Sequence, residues 1–252
     1  MSERLLELLG AGRGIVCAVG AGGKKTTLYA LAGAHPGRVG YTATVFTARF
    51  PRRLAARELI TERADLPAAL TELGGERRVA WARPSEKSGR VAGIDPALVA
   101  ACHATGFDVT LVKADGARMR SIKAPREDEP ILPPEADTVL CLVSASAIGQ
   151  PLDERVAHRP ERVAAVTGLE PGAAITAEAV GRLLAAGDGA LQGIPRGARA
   201  IAVINAVDDD ERREQADAAA RAALARTDRL ERVVLTSHRG DGDPIVAVVE
   251  RD

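Results

Sequence analysis

The sequence predicts an α/β fold: a mostly parallel sheet with helices on both faces, organised like a phosphate-loop (P-loop) NTPase. Three observations predict it. Short Val- and Ile-rich runs alternate with Ala- and Leu-rich stretches of helical spacing, the pattern of strands joined by covering helices. The first strong apolar run, Ile15-Val16-Cys17-Ala18-Val19, opens directly into a glycine-rich turn. Apolar residues make up 46% of the chain but aromatic residues only 2%, so the core must come from Ala, Val, Leu and Ile. Such small side chains suit close packing of helices on a parallel sheet.

In chain order, strands are expected at 14–19, 39–44, 78–82, 108–113, 138–143, 199–204, 232–236 and 245–249, with a weaker one at 59–61. Helices are expected to begin near Lys25, Asp65, Asp95, Arg159, Thr176 and Asp209. Thr176 can cap its helix, Glu178 lies in the first turn, and Val180, Leu183 and Leu184 share one face. The run Asp208-Asp209-Asp210-Glu211 suits the positive end of the last helix. Two stretches, 114–136 and 144–160, resist the pattern; long loops after strand ends are where α/β sheets build sites. The expectation is one domain over 1–252, with a helical insert at about 150–197.

Several function classes drop out. Lys plus Arg equals Asp plus Glu, 34 each, so nothing favours nucleic acid or an anionic membrane. Residues 1–14 lack the apolar stretch of a signal peptide, and no later run has the length of a membrane span. Cys17, Cys102 and Cys141 each sit in an apolar run without a CxxC pair or a His/Cys cluster, which excludes zinc and disulfide frameworks. A cytoplasmic location is expected.

The segment Gly20-Ala21-Gly22-Gly23-Lys24-Lys25-Thr26-Thr27 follows the first strand and precedes a helix through Leu28, Leu31 and Ala32. Glycines let backbone N–H groups turn toward phosphates, and the helix N-terminus adds partial positive charge. A lysine then neutralises the outer phosphates, and a Thr hydroxyl can ligate Mg²⁺. Measured against GxxxxGK[ST], the loop is one residue short from Gly20, and Lys24 stands where a glycine would. The preferred register takes Lys25 as the phosphate lysine, Thr26 as metal ligand and Thr27 as helper, with Lys24 replacing or supplementing Lys25. A plain glycine turn with exposed lysines is the bland alternative. A strand also ends at Lys113-Ala114-Asp115-Gly116, where an Asp can hold Mg²⁺ in a phosphate-loop enzyme.

Downstream stand Ala114-Asp115-Gly116, Lys123-Ala124-Pro125, Glu129-Pro130, Pro151-Leu152-Asp153 and His158-Arg159-Pro160-Glu161. Further on come Ile175-Thr176, Gly193-Ile194-Pro195 and a strand ending at Asn205. With the glycine loop, this series resembles the YqeC family of accessory proteins for selenium-dependent molybdenum hydroxylases. The resemblance runs from the loop to near the end of the chain. It implies a phosphate-loop protein that assists assembly of a selenium- and molybdenum-containing cofactor, with a client hydroxylase as partner. Three departures stand out. Lys113 occupies a position where the family usually has Glu, and the loop carries an extra lysine. Asn205-Ala206-Val207-Asp208 looks like the guanine-reading NKxD motif without its lysine. In that motif the Asp carboxylate accepts both N–H donors of the guanine edge. A strand-end turn with an Asp cap is the alternative.

Lys123, His158 and Arg159 lie in the irregular loops. Lys123 or Arg159 can meet an anionic substrate or a transferring phosphate, and His158 has a reference pKa near neutrality. The competing reading staples the two loops together by salt bridges, and for Glu129 that reading leads. Thr44, after the second strand, is a further metal candidate, although a β-branched residue in a strand needs no special explanation. The functional expectation is a Mg²⁺-dependent NTPase or phosphoryl-transfer enzyme that prefers GTP to ATP. A small-molecule kinase acting on an anionic acceptor and a non-enzymatic nucleotide switch are its rivals.

Overall fold

The computed structural model describes residues 2–240 and 242–251. The chain begins with helix α1 (Ser2–Leu8), strand β1 (Gly14–Gly20), helix α2 (Lys24–Ala34) and strand β2 (Val39–Ala43). Next come β3 (Thr47–Ala48), β4 (Arg57–Ile60), α3 (Leu66–Thr71), β5 (Arg78–Ala82), β6 (Arg90–Val91) and α4 (Val99–His103). The middle holds β7 (Val109–Lys113), β8 (Ile122–Lys123), β9 (Thr138–Ser144), β10 (Ala157–His158), α5 (Pro160–Thr167) and α6 (Ala177–Ala185). The last part is β11 (Arg199–Asn205), α7 (Asp210–Leu224), β12 (Leu230–Thr236) and β13 (Ile245–Val249).

Nine strands form one sheet in the order β13-β12-β11-β9-β1-β7-β2-β5-β4. Every pairing is parallel except β12 with β13. Side chains alternate across such a sheet, and β1 shows both halves of the core. Ile15, Cys17 and Val19 face the layer holding α3 to α7, while Val16 and Ala18 face α1 and α2. Strand order reverses at β1: the chain next fills one side, through β2, and later the other, through β9, β11 and β12. The carboxyl ends of β1, β7, β9, β11 and β12 therefore share one edge, the place where open α/β sheets bind ligands.

Local chemistry explains the element ends. Asp65, Thr176 and Asp209 each accept a backbone N–H from the first turn of α3, α6 and α7. Helix α2 stops at His35, held extended by the following Pro36. Helix α1, not expected from the charged N-terminal sequence, buries Leu5 and Leu6 in the α2-side core, and Leu9 in the turn that follows joins them. The few aromatics are placed deliberately: Trp81 is fully buried and stacks on Phe107 at 5.1 Å. The stretch 150–197 supplies β10, α5 and α6, part of the long crossover between the adjacent parallel strands β9 and β11. Cys17, Cys102 and Cys141 are unpaired and buried. No helix among the described residues is long and apolar enough to cross a membrane.

Candidate functional site

The glycine loop leaves β1 at the shared edge. Gly20 and Gly23 have φ of 88° and 123°, a region that side-chain-bearing residues rarely adopt. The first three loop N–H groups are already anchored: Gly20 to Asp115 Oδ2 at 2.9 Å, Ala21 to Leu142 O at 2.9 Å, Gly22 to Arg120 O at 3.1 Å. The next ones are not. The first helical bond of α2 runs from Thr27 N–H to Gly23 O at 2.9 Å, so the N–H groups of Lys24, Lys25 and Thr26 precede the ladder at its positive end.

Lys24 opens α2 and turns back into the loop. Its Nζ donates to Gly20 O and lies 2.8 Å from Asp115 Oδ1, with 6% of the side chain exposed. Burial lowers its pKa, and the neighbouring Asp115 opposes that shift. Lys25 and Thr26 are half-buried. Thr27, expected as a helper, is fully buried, with its Oγ1 3.4 Å from His238 Nε2.

Asp115 is the hub. Its Oδ2 accepts from Lys123 Nζ at 2.9 Å, and its own backbone carbonyl accepts from Lys113 Nζ at 2.7 Å. Lys123 also donates to Gly116 O at 2.7 Å and pairs with Glu129 at 2.7 Å; Glu129 in turn pairs with Arg159 at 2.8 Å. A continuous relay, Lys24–Asp115–Lys123–Glu129–Arg159, thus runs from the loop to the start of α5. Lys123 and Arg159, expected as anion contacts, both bind carboxylates, and Glu129 takes the stapling role. Ladder β8–β10 sets His158 opposite Lys123 and ties the two irregular loops together.

Burial, reinforced by the ammonium of Lys24, pushes Lys113 down to about 7. Burial raises Glu129, but hydrogen bonds from Arg159 and Lys123 outweigh it and bring the carboxyl down to about 2. Burial first, then the positive Arg159 and Lys123, takes His158 down to about 4. The imidazole is neutral at pH 7 and does not titrate in the range its reference pKa suggests.

A second group of residues reaches the same loop from β11 and β12. Asn205 Nδ2 donates to Gly22 O at 3.1 Å, and its Oδ1 accepts from Thr236 Oγ1 at 3.1 Å, as the register Asn205 opposite Thr236 requires. A Cβ on Gly23 would sit 2.2 Å from Asn205 Nδ2, so this contact needs glycine there. Ala206, with φ of 61°, turns the chain sharply, and Asp208 then accepts from Ser237 Oγ at 2.6 Å. Its other oxygen meets Arg212 at 3.2 Å and Arg239 at 3.1 Å.

For Mg²⁺ the donor set is sparse. No cluster of three or more His, Cys, Asp or Glu able to hold a metal exists among the described residues. Thr44 Oγ1 donates to Ile131 O at 2.6 Å, so a metal role there would break an existing bond. Asp115 Oδ1 is different: it is buried, and its contact with Lys24 lacks hydrogen-bond geometry. A buried carboxylate oxygen with no hydrogen bond is chemically suited to a cation.

Lys24 was visible in the sequence as a secondary candidate only. Ser237, Thr236 and Arg239 were missed, though the parallel pattern carried a signal for them. Consecutive parallel strands end at one edge, so the residues after β12 had to lie beside those after β11.

A family model described as YqeC protein matches residues 16–161, more than half of the chain. The match takes in the glycine loop and the whole ion-pair relay; Asn205 and Asp208 lie beyond it. Over 118 residues the chain is 32% identical to "Uncharacterized protein YqeC" of Escherichia coli (strain K12), a stretch covering 46% of this chain. The same stretch covers 46% of that protein, so the match spans about half the length of the curated relative. The relay that joins Lys24 to Arg159 and the family match thus coincide, and the chain belongs to the YqeC family.

Proposed function

We propose that this chain binds a nucleoside triphosphate with its phosphates on the glycine loop. The supporting observation is that Lys24 is drawn back onto Gly20 and Asp115 at the free N-terminal N–H groups of α2. An ammonium in that position can exchange one anionic partner for another without crossing the site. This moves the phosphate lysine from Lys25 to Lys24 and leaves Lys25 as a supplementary charge at the helix end. Mg²⁺, where present, supplies charge neutralisation to the phosphates, and Asp115 and Thr26 are the residues to hold it. The purine is guanine, read by Asp208, while Asn205 fixes the reading turn to the phosphate loop.

The biological task follows from the family resemblance: assistance to assembly of a selenium- and molybdenum-containing cofactor or its hydroxylase. Two chemistries fit, nucleotide hydrolysis with or without transfer to a small anionic acceptor, and a nucleotide-driven switch. The switch reading has its own observation, the unbroken relay of ion pairs from Lys24 to Arg159. When Lys24 turns to a phosphate, Asp115 rebalances toward Lys123, and the change reaches helix α5. Calorimetry with GTP, ATP and CTP, with and without Mg²⁺, tests the reading. Triphosphate binding that Lys24→Met weakens supports it, and no binding of any of the three sinks it. Phosphate release without acceptor then separates hydrolysis from the switch.

A further inference from the structure

Asp208 is overcommitted for a base-reading carboxylate. A carboxylate offers about four lone-pair positions. Ser237 Oγ takes one on Oδ1 at 2.6 Å, and Arg212 at 3.2 Å and Arg239 at 3.1 Å approach Oδ2. Only Ser237 and Arg212 are hydrogen-bonded, so one position stays open on each oxygen, but the Arg239 guanidinium stands against Oδ2, where one of the two parallel N–H donors of a guanine edge would have to sit. One present partner must leave. Ser237 directly follows β12, and its N–H donates at 2.9 Å to the carbonyl of Pro244, which precedes β13. Arg212 stands on α7 four residues from Asp208, with 33% of its side chain exposed and a second carboxylate, Asp209, at 3.6 Å. Arg239 is 77% exposed. An ion pair with one member in solvent is weak, so Arg239 is the partner that yields.

We propose that Arg239 is the built-in occupant of the base-reading edge of Asp208, and that a guanine base displaces it. Arg239 is then a specificity-determining residue and Ser237 a positioning residue that holds Asp208 in place. The inference rests on the nucleotide reading above. An adenine, which has no matching pair of donors, leaves Arg239 on the carboxylate. A guanine must first remove it, so the arginine holds the preference for guanine below what Asp208 alone would give.

The test is binding of GTP, ATP and xanthosine triphosphate to the full chain at low and high salt. Arg239→Ala should raise the GTP/ATP affinity ratio about two- to fivefold, the range of an exposed ion pair. In the wild type the ratio should rise with salt, because salt screens the competing arginine, and in Arg239→Ala this rise should vanish. Arg239→Lys should restore the salt dependence. Ser237→Ala should lower the ratio about tenfold, as loss of a hydrogen bond to a charged group implies. Asp208→Asn should gain xanthosine triphosphate, since an amide pairs one donor and one acceptor with the xanthine edge; a merely structural Asp208 would not give that gain. Triphosphate binding that depends on Lys24, with a GTP/ATP ratio unmoved or lowered by Arg239→Ala, overturns the inference and leaves the phosphate site standing. Absence of all triphosphate binding overturns both.

Discussion

The two ends of the site are held by different physics. At the end proposed for phosphate, Lys24 and Lys123 are joined through Asp115 by ion pairs under 3 Å, and all three are less than a tenth exposed. At the end proposed for the base, Asp208 is equally secluded, but one partner, Arg239, reaches in from solvent. Buried ions are costly to take out of water, and breaking such a pair costs far more than forming it gains. Exposed pairs are cheap to break and sensitive to salt. The Asp115 end is therefore a fixed part of the fold, and the Asp208 end is an adjustable one. The family match follows the same division, ending at residue 161 with the relay complete.

The hardest blow to that contrast is removal of the hub. Asp115→Ala leaves two buried ammonium groups without their shared carboxylate and strips the anchor from Gly20 N–H. The expected loss is about 3–5 kcal/mol of folding stability, measured by urea unfolding. Asp208→Ala, by comparison, should cost much less, because Arg239 simply returns to water. If both variants lose the same stability, the division between fixed and adjustable ends is wrong.

Lys24 and Lys25 sharpen the phosphate end itself. Lys24→Met keeps the stem in its buried slot, leaves Asp115 paired with Lys123, and removes the ammonium. It should weaken triphosphate binding by roughly 2–3 kcal/mol. Lys25→Met, at a half-exposed position, should cost less than about 1 kcal/mol. The reverse order in calorimetry would return the phosphate role to Lys25.

Much of this was legible in the sequence, for identifiable reasons. The long strands and the starts of α2, α3, α6 and α7 follow from apolar runs and capping residues that act within a few positions. The glycine loop, Asp115 and Asn205 could be placed at one edge because parallel strands all end there. What could not be read is which side chains spend their charge on one another. Lys123, Glu129 and Arg159 carry the same letters whether they meet substrate or staple loops, and only the β8–β10 ladder decides their neighbours. The choice between Lys24 and Lys25 is a matter of about 100° around a helix, set by where the first turn of α2 begins. Helix α1 escaped notice because its buried Leu5 and Leu6 are interleaved with charge.

Acid should loosen the relay. His158 has a pKa of about 4 in the fold against an ordinary 6.5, so between those values the unfolded chain binds more protons and stability falls as pH falls. Glu129, brought from 4.5 to about 2, contributes stability that is whole above 4.5 and lost as pH falls toward 2. Thermal unfolding from pH 7 to pH 3 should show a continuous loss. His158→Gln should flatten the upper part of the curve, and Glu129→Gln the lower part. A wild-type curve level from pH 6.5 to 4 would remove His158 from the relay's surroundings.

The smallest effect expected is the most discriminating between the two ends, because Thr236 belongs to neither alone. Its hydroxyl donates to Asn205 Oδ1, and Asn205 then donates to the phosphate loop at Gly22 O. Thr236→Val keeps the shape and the β-branched fit in the strand but leaves a buried amide oxygen without its donor. The fold should lose about 1–2 kcal/mol, since an unsatisfied buried acceptor costs more than the bond itself contributes. Without that donor the Asn205 amide is held at one end only, and any swing toward water takes Nδ2 away from Gly22 O. Binding should then weaken for GTP and ATP alike, because the loop rather than the base-reading carboxylate has lost its brace. Asp208 keeps Ser237, Arg212 and Arg239 throughout, so the GTP/ATP ratio should stay where it was. A ratio that shifts with Thr236→Val would mean that Asn205 and Asp208 move as one piece, and that the two ends are a single rigid site.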